Sequence, residues 1–152
     1  AYATSDRGAC HLRSTFYKAE LSGMIPSEQI EGKAKLFLEF EDRFNIHDSL
    51  ILCRFYRDIY WDWNYLSTIV EVTTGLKLDE TQLRKISSNI QNETRKFNLS
   101  EGITSKDDTL PKRFFDEPLG KEGKTIRRED LQKMLQDYYT LRGWSSEGIP
   151  DS

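Results

Sequence analysis

The chain has 152 residues, with 22 Lys and Arg against 25 Asp and Glu and a formal net charge of −3. This length suits one domain with one core, and the slight acidic balance argues against nucleic acid or an anionic membrane surface as partners. The only cysteines, Cys10 and Cys53, form no CxxC pair and are too few for a disulfide scaffold, which favours a reducing, cytoplasmic setting.

The residue pattern of the N-terminal third predicts loops and helices. A small polar loop precedes His11, and a short helix is expected between Ser14 and Leu21. A longer helix is expected to begin near Ser27. Its apolar face recurs every three or four residues, as in an amphipathic helix. The residues of that face are Leu36, Phe37, Phe40 and Phe44.

Asn45 is expected to interrupt this helix, and a second helical segment is predicted from His47 to about Asp58. In such a segment Ile46, Leu50 and Cys53 share one stripe. From residues alone, core packing is therefore the favoured role of Cys53, because free cysteine is among the most buried residue types.

Aromatic and capping residues shape the middle of the chain. The cluster from Ile59 to Tyr65 predicts core packing, and Asp62 is a candidate N-cap for a helix that runs to Thr73 and ends at Gly75. Asp79 to Gln82 predicts a capping box, which opens a helix that continues to Asn98.

Residues 99–127 contain Pro and Gly without a sustained period and predict a long irregular connection. A final helix is expected from Arg128 to Arg142, stopped by Gly143 and followed by a loose tail after Trp144. Its predicted inward face is Leu131, Met134, Leu135, Tyr138 and Leu141. Strand-like alternation is almost absent, so the prediction is one all-α domain over residues 1–152. We expect five to seven helices, with a long loop before the last. No apolar run approaches the ~18 residues that a membrane-spanning helix requires.

The stretch from Ile46 to Cys53 places an imidazole, an acid and a thiol in an apolar run. A zinc site from Cys10, His11, His47 and Cys53 is conceivable, but structural zinc sites use tightly paired ligands and these residues are not so spaced. We therefore disfavour zinc.

Signatures in the C-terminal half carry a family resemblance. They are NLSEGITSKDDTLPKR at 98–113, EPL at 117–119, LQDYYTLRGW at 135–144 and GIP at 148–150. In this order they resemble the C-terminal region of the tungsten-containing aldehyde ferredoxin oxidoreductases. Upstream, DSLILC at 48–53 resembles the family motif Asp-x-x-Gly-Leu-Cys, and RGACHLR at 7–13 resembles its active-site histidine segment.

The resemblance implies an enzyme that oxidises aldehydes to carboxylic acids at a bis-pterin tungsten centre and passes electrons through a 4Fe-4S cluster to ferredoxin. It implies that Cys53 is one cluster ligand and that His11 lies near the metal as a proton-transferring group, which suits an imidazole. The residues implied to contact the pterin are Arg7, Arg13, Asp48 and Leu52, with the arginines also reaching its phosphates.

This sequence departs from the family pattern at Ile51, where the family has Gly, and at Ser100, where it commonly has Arg. It also lacks the Cys-x-x-Cys-x-x-x-Cys motif, and one thiolate cannot hold a cubane that needs four ligands. The chain opens Ala-Tyr-Ala-Thr without Met, so we expect a C-terminal part of a larger enzyme. Its partners would be the N-terminal and middle domains. By itself it should be inactive and free of cofactor.

An alternative without chemistry stays open. In it the chain is a helical interaction module, Cys53 belongs to the core, and residues 99–127 form a docking surface.

Overall fold

The computed structural model describes residues 1–8, 10–118, 120 and 123–151. Over this part of the chain it holds helices and turns and no β-strand, which confirms the all-α class. The helices are α1 (Tyr17–Leu21), α2 (Lys33–Ser49), α3 (Trp63–Thr74), α4 (Glu80–Ser100), α5 (Arg113–Asp116) and α6 (Arg128–Arg142), with a 3₁₀ turn at Arg54–Tyr56. None of these helices combines the length and apolar character needed to cross a membrane.

Helix α2 lies at the centre and packs against α3, α4 and α6. Its predicted apolar face is confirmed, since Phe37, Phe40 and Phe44 are buried. Together with α1 and α6 this face forms the first core cluster. Its buried members are Phe16, Ala19, Ile25, Ala34, Phe37, Phe40, Phe44, Tyr138 and Tyr139.

A second core cluster lies between the end of α2 and helices α3 and α4. Its buried members are Ile46, Trp63, Leu66, Val70 and Leu83. The expectation that residues 59–65 are core holds for Trp63, which is buried, and for Trp61, which packs partly on the first cluster. It is wrong for Ile59 and Tyr65, which are 58% and 59% exposed.

The predicted interruption at Asn45 is wrong, because α2 continues through it to Ser49. The side chain of Asn45 is buried and bonds to α4: its Nδ2 donates to Ser87 Oγ at 2.9 Å, and Gln91 Nε2 donates to its Oδ1 at 3.0 Å. Because these partners satisfy the amide, it does not compete with the helix backbone.

The predicted helical segment from His47 to Asp58 is also wrong. Helix α2 ends at Ser49 in a Schellman motif, in which Ile51 N–H donates to Asp48 O at 3.0 Å and Leu52 N–H donates to His47 O at 2.9 Å. Ile51 has φ +58°, the left-handed backbone that terminates helices. Residues after it therefore leave the α2 stripe.

Helix α2 also begins later than expected, at Lys33. The segment from Ser27 forms turns that Lys33 closes, because its Nζ donates to the carbonyl oxygen of Ser27 at 2.6 Å and to Glu20 Oε1 at 2.7 Å. A side chain that binds these earlier residues fixes the start of the helix.

The predicted caps of α3 and α4 are confirmed. Asp62 Oδ1 accepts from Asn64 N–H at 2.7 Å, and Gly75 is the C-cap of α3. Asp79 and Gln82 form a reciprocal capping box at 2.8 and 2.9 Å.

Helix α6 turns a more polar face inward than predicted. Leu141 is 46% exposed, whereas Arg142 is buried and pairs with Glu41 at 2.6 Å and Asp42 at 2.8 Å. Tyr138 O–H donates to the same Glu41 carboxylate at 2.7 Å. Burying this arginine is possible because two acids of α2 meet it there.

The predicted loose tail is wrong. Gly148 and Pro150 are buried, and Ser145 N–H donates to Ile149 O at 2.9 Å. Arg95 of α4 holds the tail, since its Nε donates to Gly148 O at 2.9 Å while its other nitrogens pair with buried Asp108. The described part of the connection that contains Asp108 is irregular as predicted, apart from the short helix α5.

Candidate functional site

The turn that follows α2 presents Cys53 to solvent. Cys53 is exposed and has extended backbone, with φ −66° and ψ 127°, directly before the 3₁₀ turn. Tyr56 N–H donates to Cys53 O at 3.0 Å. The core-packing prediction for Cys53 is therefore wrong, because the helix that would have carried it inward ends at Ser49.

Large apolar side chains around Cys53 are also exposed. Ile51 and Phe55 are 91% and 90% exposed, and Tyr56 and Ile59 lie more than half in solvent. Four exposed apolar side chains within nine residues of chain are more than scattered surface positions usually show, and exposed apolar patches are typical of interaction sites.

Asp48 joins this turn to the N-terminal segment. Its carboxylate accepts from Arg54 Nε at 3.1 Å and Nη2 at 2.5 Å, and from Arg13 Nη1 at 2.8 Å. Arg13 also makes a two-pronged pair with Asp6. The predicted residues Asp48 and Arg13 are thus in direct contact. Asp6 binds the other side of Arg13, and Arg54 binds the other side of Asp48.

The shared carboxylates affect both arginines. Hydrogen bonding from Arg13 to Asp6 raises the pKa of Arg13, although burial opposes this. Burial lowers the pKa of Arg54, which Asp48 counteracts. Both guanidiniums remain charged, so the cluster of Asp6, Arg13, Asp48 and Arg54 is close to neutral.

The segment before α1 exposes His11 and Arg7. Arg7 Nη2 donates to Cys10 Sγ at 3.2 Å, and the His11 ring lies 6.3 Å from the ring of Tyr17. Burial would raise the pKa of Cys10, but hydrogen bonds from Arg7 and from nearby backbone groups lower it overall. Ala9 of this motif and Leu119 of a downstream signature lie outside the described residues.

His47 and Leu52 face the interior. His47 is fully buried, with its Nε2 2.9 Å from Tyr60 O and its Nδ1 without a hydrogen-bond partner. Burial lowers the pKa of His47, which favours the neutral ring. Leu52 packs against the second core cluster. A ligand set that included both buried His47 and exposed Cys53 is not assembled, and the described residues hold no group of three or more His, Cys, Asp or Glu suited to a metal.

Sequence reasoning missed Asp6 and Arg54. Arg54 falls inside the helical segment predicted from His47 to Asp58, and Asp6 falls in the polar loop before His11. The available signal was local: Asp48 and Arg54 lie on either side of a position where the resembled motif has Gly, and Gly at that place is typical of a helix end.

Comparison with known proteins agrees with the resemblance in the motifs. The family model described as "Aldehyde ferredoxin oxidoreductase, domains 2 & 3" matches residues 1–152. Tungsten-containing aldehyde ferredoxin oxidoreductases from Pyrococcus furiosus and Thermococcus kodakarensis are 34% and 33% identical, and each alignment covers 97% of this chain and 25% of the relative. The chain thus spans about a quarter of the length of these curated relatives.

A solved structure shares the fold. The BamBC active-site complex of benzoyl coenzyme A reductase, in complex with 1,5-dienoyl-CoA, superposes with a TM-score of 0.63 over 84% of this chain and 19% of that chain, at 21% identity. At this identity the likeness concerns the fold alone. The family match over the whole chain and the identity to the curated relatives show that this chain belongs to the aldehyde ferredoxin oxidoreductase family.

Proposed function

We propose that this chain is the C-terminal helical domain of a tungsten-dependent aldehyde ferredoxin oxidoreductase, which oxidises aldehydes to carboxylic acids. The observation that carries the proposal is the joining of two family motifs in space. Arg13 of the first motif bonds Asp48 of the second, so that the His11 segment and the Cys53 turn lie against each other. Family membership supports the choice of reaction.

The residues fit the implied cofactors. Cys53 is an exposed thiol on a turn, as an iron–sulfur ligand from one segment must be, and the exposed apolar side chains beside it suit burial under other segments. The other three cluster ligands would come from elsewhere in the enzyme. The tungsten–pterin centre, when bound, would supply the aldehyde oxidation, with the cluster passing electrons to ferredoxin.

The chain's own residues would bind and orient the pterin. Asp48, fixed by two arginines, would present its remaining acceptor capacity to pterin N–H groups. Arg7 is exposed and would add a cation for the pterin phosphates, whereas Arg13 is already paired with two acids and would act chiefly by holding Asp48. Leu52, which is only partly buried against the second core cluster, would contact the pterin through the part that stays accessible.

His11 would move a proton during the reaction. Its ring is exposed on the same segment as Arg13 and has no described hydrogen bond that would restrain it. An imidazole side chain can pass protons, and the oxidation of an aldehyde with water to a carboxylic acid releases two protons together with two electrons.

An anaerobic assay of the enzyme tests the proposal. With a short aldehyde and a low-potential one-electron dye, we expect aldehyde-dependent dye reduction. His11→Ala should lower turnover by about a hundredfold while iron and tungsten contents stay unchanged, because a proton-transferring side chain contributes at least that much. The exposed neighbour Leu12 provides the control variant Leu12→Ala, which should keep its turnover.

Two results would count against the proposal. A metal-loaded enzyme that oxidises none of a panel of aldehydes would remove the function and favour a helical module without chemistry. Normal turnover in His11→Ala would leave the function standing and remove the role of His11.

A further inference from the structure

We propose that Arg54 is a positioning residue that locks the turn carrying Cys53 onto the segment carrying His11. The inference rests on the proposed function for its chemical meaning, but the lock itself is a property of this chain. No motif of the resembled family drew attention to Arg54.

The side chain of Arg54 binds both segments at once. Nε and Nη2 donate to the Asp48 carboxylate at 3.1 and 2.5 Å, and Nη1 donates to the carbonyl oxygen of Arg13 at 3.1 Å. A planar guanidinium with five donors can make these bonds together, whereas an ammonium cannot reproduce their fixed geometry.

The guanidinium of Arg54 also packs on the aromatic ring of Phe44. Its carbon lies 4.3 Å from the centre of the Phe44 ring, and the side chain is only 18% exposed. Because Phe44 belongs to the first core cluster, this cation–π contact ties the lock to the centre of α2.

The turn needs such a lock. Ile51 adopts a left-handed backbone that is unfavourable for a β-branched residue, and its side chain is 91% exposed, so it gains almost nothing from packing. Strained positions persist where surrounding contacts hold them. Arg54 supplies such contacts across Ile51. It follows Ile51 in the chain and binds Asp48, which precedes Ile51.

Cys53 directly precedes Arg54, so its backbone is fixed between the locked guanidinium and the Schellman motif. The fixed backbone in turn restricts the direction in which the Cys53 thiol points. In the loaded enzyme this would define how the cluster sits relative to the residues of the His11 segment.

Hydrogen exchange of the protein by NMR tests the lock. The reporter amides are Ile51, Leu52 and Tyr56, which donate within the turn. In Arg54→Ala they should exchange at least about fivefold faster, because the turn opens locally, while amides in the middle of α4 keep their rates. Arg54→Lys should lie between wild type and Arg54→Ala, because it keeps a cation for Asp48 and loses the fork.

Arg84 of α4 offers a matched control outside the turn. It pairs with Glu39 through two bonds of 2.8 Å and lies 4.7 Å from a ring centre of Trp63. Arg84→Ala removes a comparable ion pair and cation–π contact, and it should leave the reporter amides of the turn unchanged. Unchanged exchange in Arg54→Ala, or an equal acceleration in Arg84→Ala, would overturn the lock.

A second measurement tests whether the contacts of Arg54 influence the iron–sulfur cluster. In the iron-loaded enzyme, Arg54→Lys should change the EPR spectrum of the reduced cluster and its reduction potential, whereas Arg84→Ala should change neither. Faster exchange with an unaltered cluster spectrum would overturn the positioning role. Cluster assembly that does not depend on Cys53 would instead remove the assignment of Cys53 as a cluster ligand, failure to oxidise aldehydes would remove the proposed function, and the exchange result would stand in either case.

Discussion

Ile51 occupies a backbone conformation that a glycine would adopt without strain. Its φ of +58° places it at the C′ position of the Schellman motif that ends α2. At the same position of α6, Gly143 has φ +71° and the following Trp144 N–H donates to Tyr139 O at 2.8 Å. The glycine in the resembled motif is therefore explained by helix termination, before any cofactor is considered.

Replacing this residue with glycine should stabilise the protein. Ile51→Gly relieves the left-handed strain and removes a side chain that buries almost nothing within this chain, and we expect a gain of about 1 kcal/mol in the free energy of unfolding of the chain after the entropic cost of glycine. Urea denaturation followed by circular dichroism measures the change.

The reverse substitution on α6 is the matched control. A Cβ at Gly143 would meet no atom within 4 Å, so Gly143→Ala adds only backbone strain and should lose about 1 kcal/mol. An Ile51→Gly protein less stable than wild type would contradict the strain assigned to Ile51.

At the scale of elements, polar side chains join α2 to α4 in addition to the apolar core. Glu39 of α2 accepts from Arg43 Nη1 at 2.9 Å and from two nitrogens of Arg84 on α4 at 2.8 Å. Burial would raise the pKa of Glu39, but these hydrogen bonds outweigh it and hold the pKa below its ordinary value.

The lowered pKa predicts how this contact depends on pH. A carboxyl group with a depressed folded pKa stabilises the protein above its unfolded pKa, about 4.3 for Glu, and the stabilisation is lost as the pH falls through the folded value. Because Glu39 is partly exposed, solvent screening limits its contribution to about 1 kcal/mol or less.

Urea denaturation of wild type and Glu39→Gln across pH measures this contribution. The advantage of wild type should be present at about pH 6, should shrink as the pH falls below the ordinary Glu pKa of about 4.3, and should vanish once Glu39 itself is protonated. An advantage that grows with acidification would contradict the direction of the pKa shift.

The helices predicted correctly are those whose ends are determined by residues close in the sequence. The caps at Asp62 and Asp79 need only residues within one turn, so their helices were found. The continuity of α2 through Asn45 depends on Ser87 and Gln91, which are more than forty positions away and carry no local signal.

At the scale of the whole molecule, the site is formed by two segments that are distant in the chain. Motif resemblance predicts that Arg13 and Asp48 belong to one site, and the two side chains are in contact at 2.8 Å in the fold. Periodicity placed Cys53 in the core because it assumed that the helix continues past Ile51. Arg54 was missed for the same reason, since its role arises only once the chain turns back toward the N-terminal segment.

The exposed apolar surface around Cys53 is what we expect of a domain that packs against other parts of a larger enzyme. Ile51 and Phe55 would be costly to leave in water in a protein that functioned alone. Under the proposed function, other segments of the enzyme would cover this surface and bring the remaining cluster ligands with them.

The iron content and EPR spectrum of the enzyme, compared between Cys53→Ser and Cys10→Ser, test the central claim most directly. Both changes remove one thiol, but only Cys53 lies on the exposed turn joined through Asp48 to Arg13. We expect Cys53→Ser to lose or alter the cluster signal and Cys10→Ser to keep its iron. A Cys53→Ser enzyme with the full iron content and an unchanged spectrum would contradict the assignment of Cys53 as a cluster ligand.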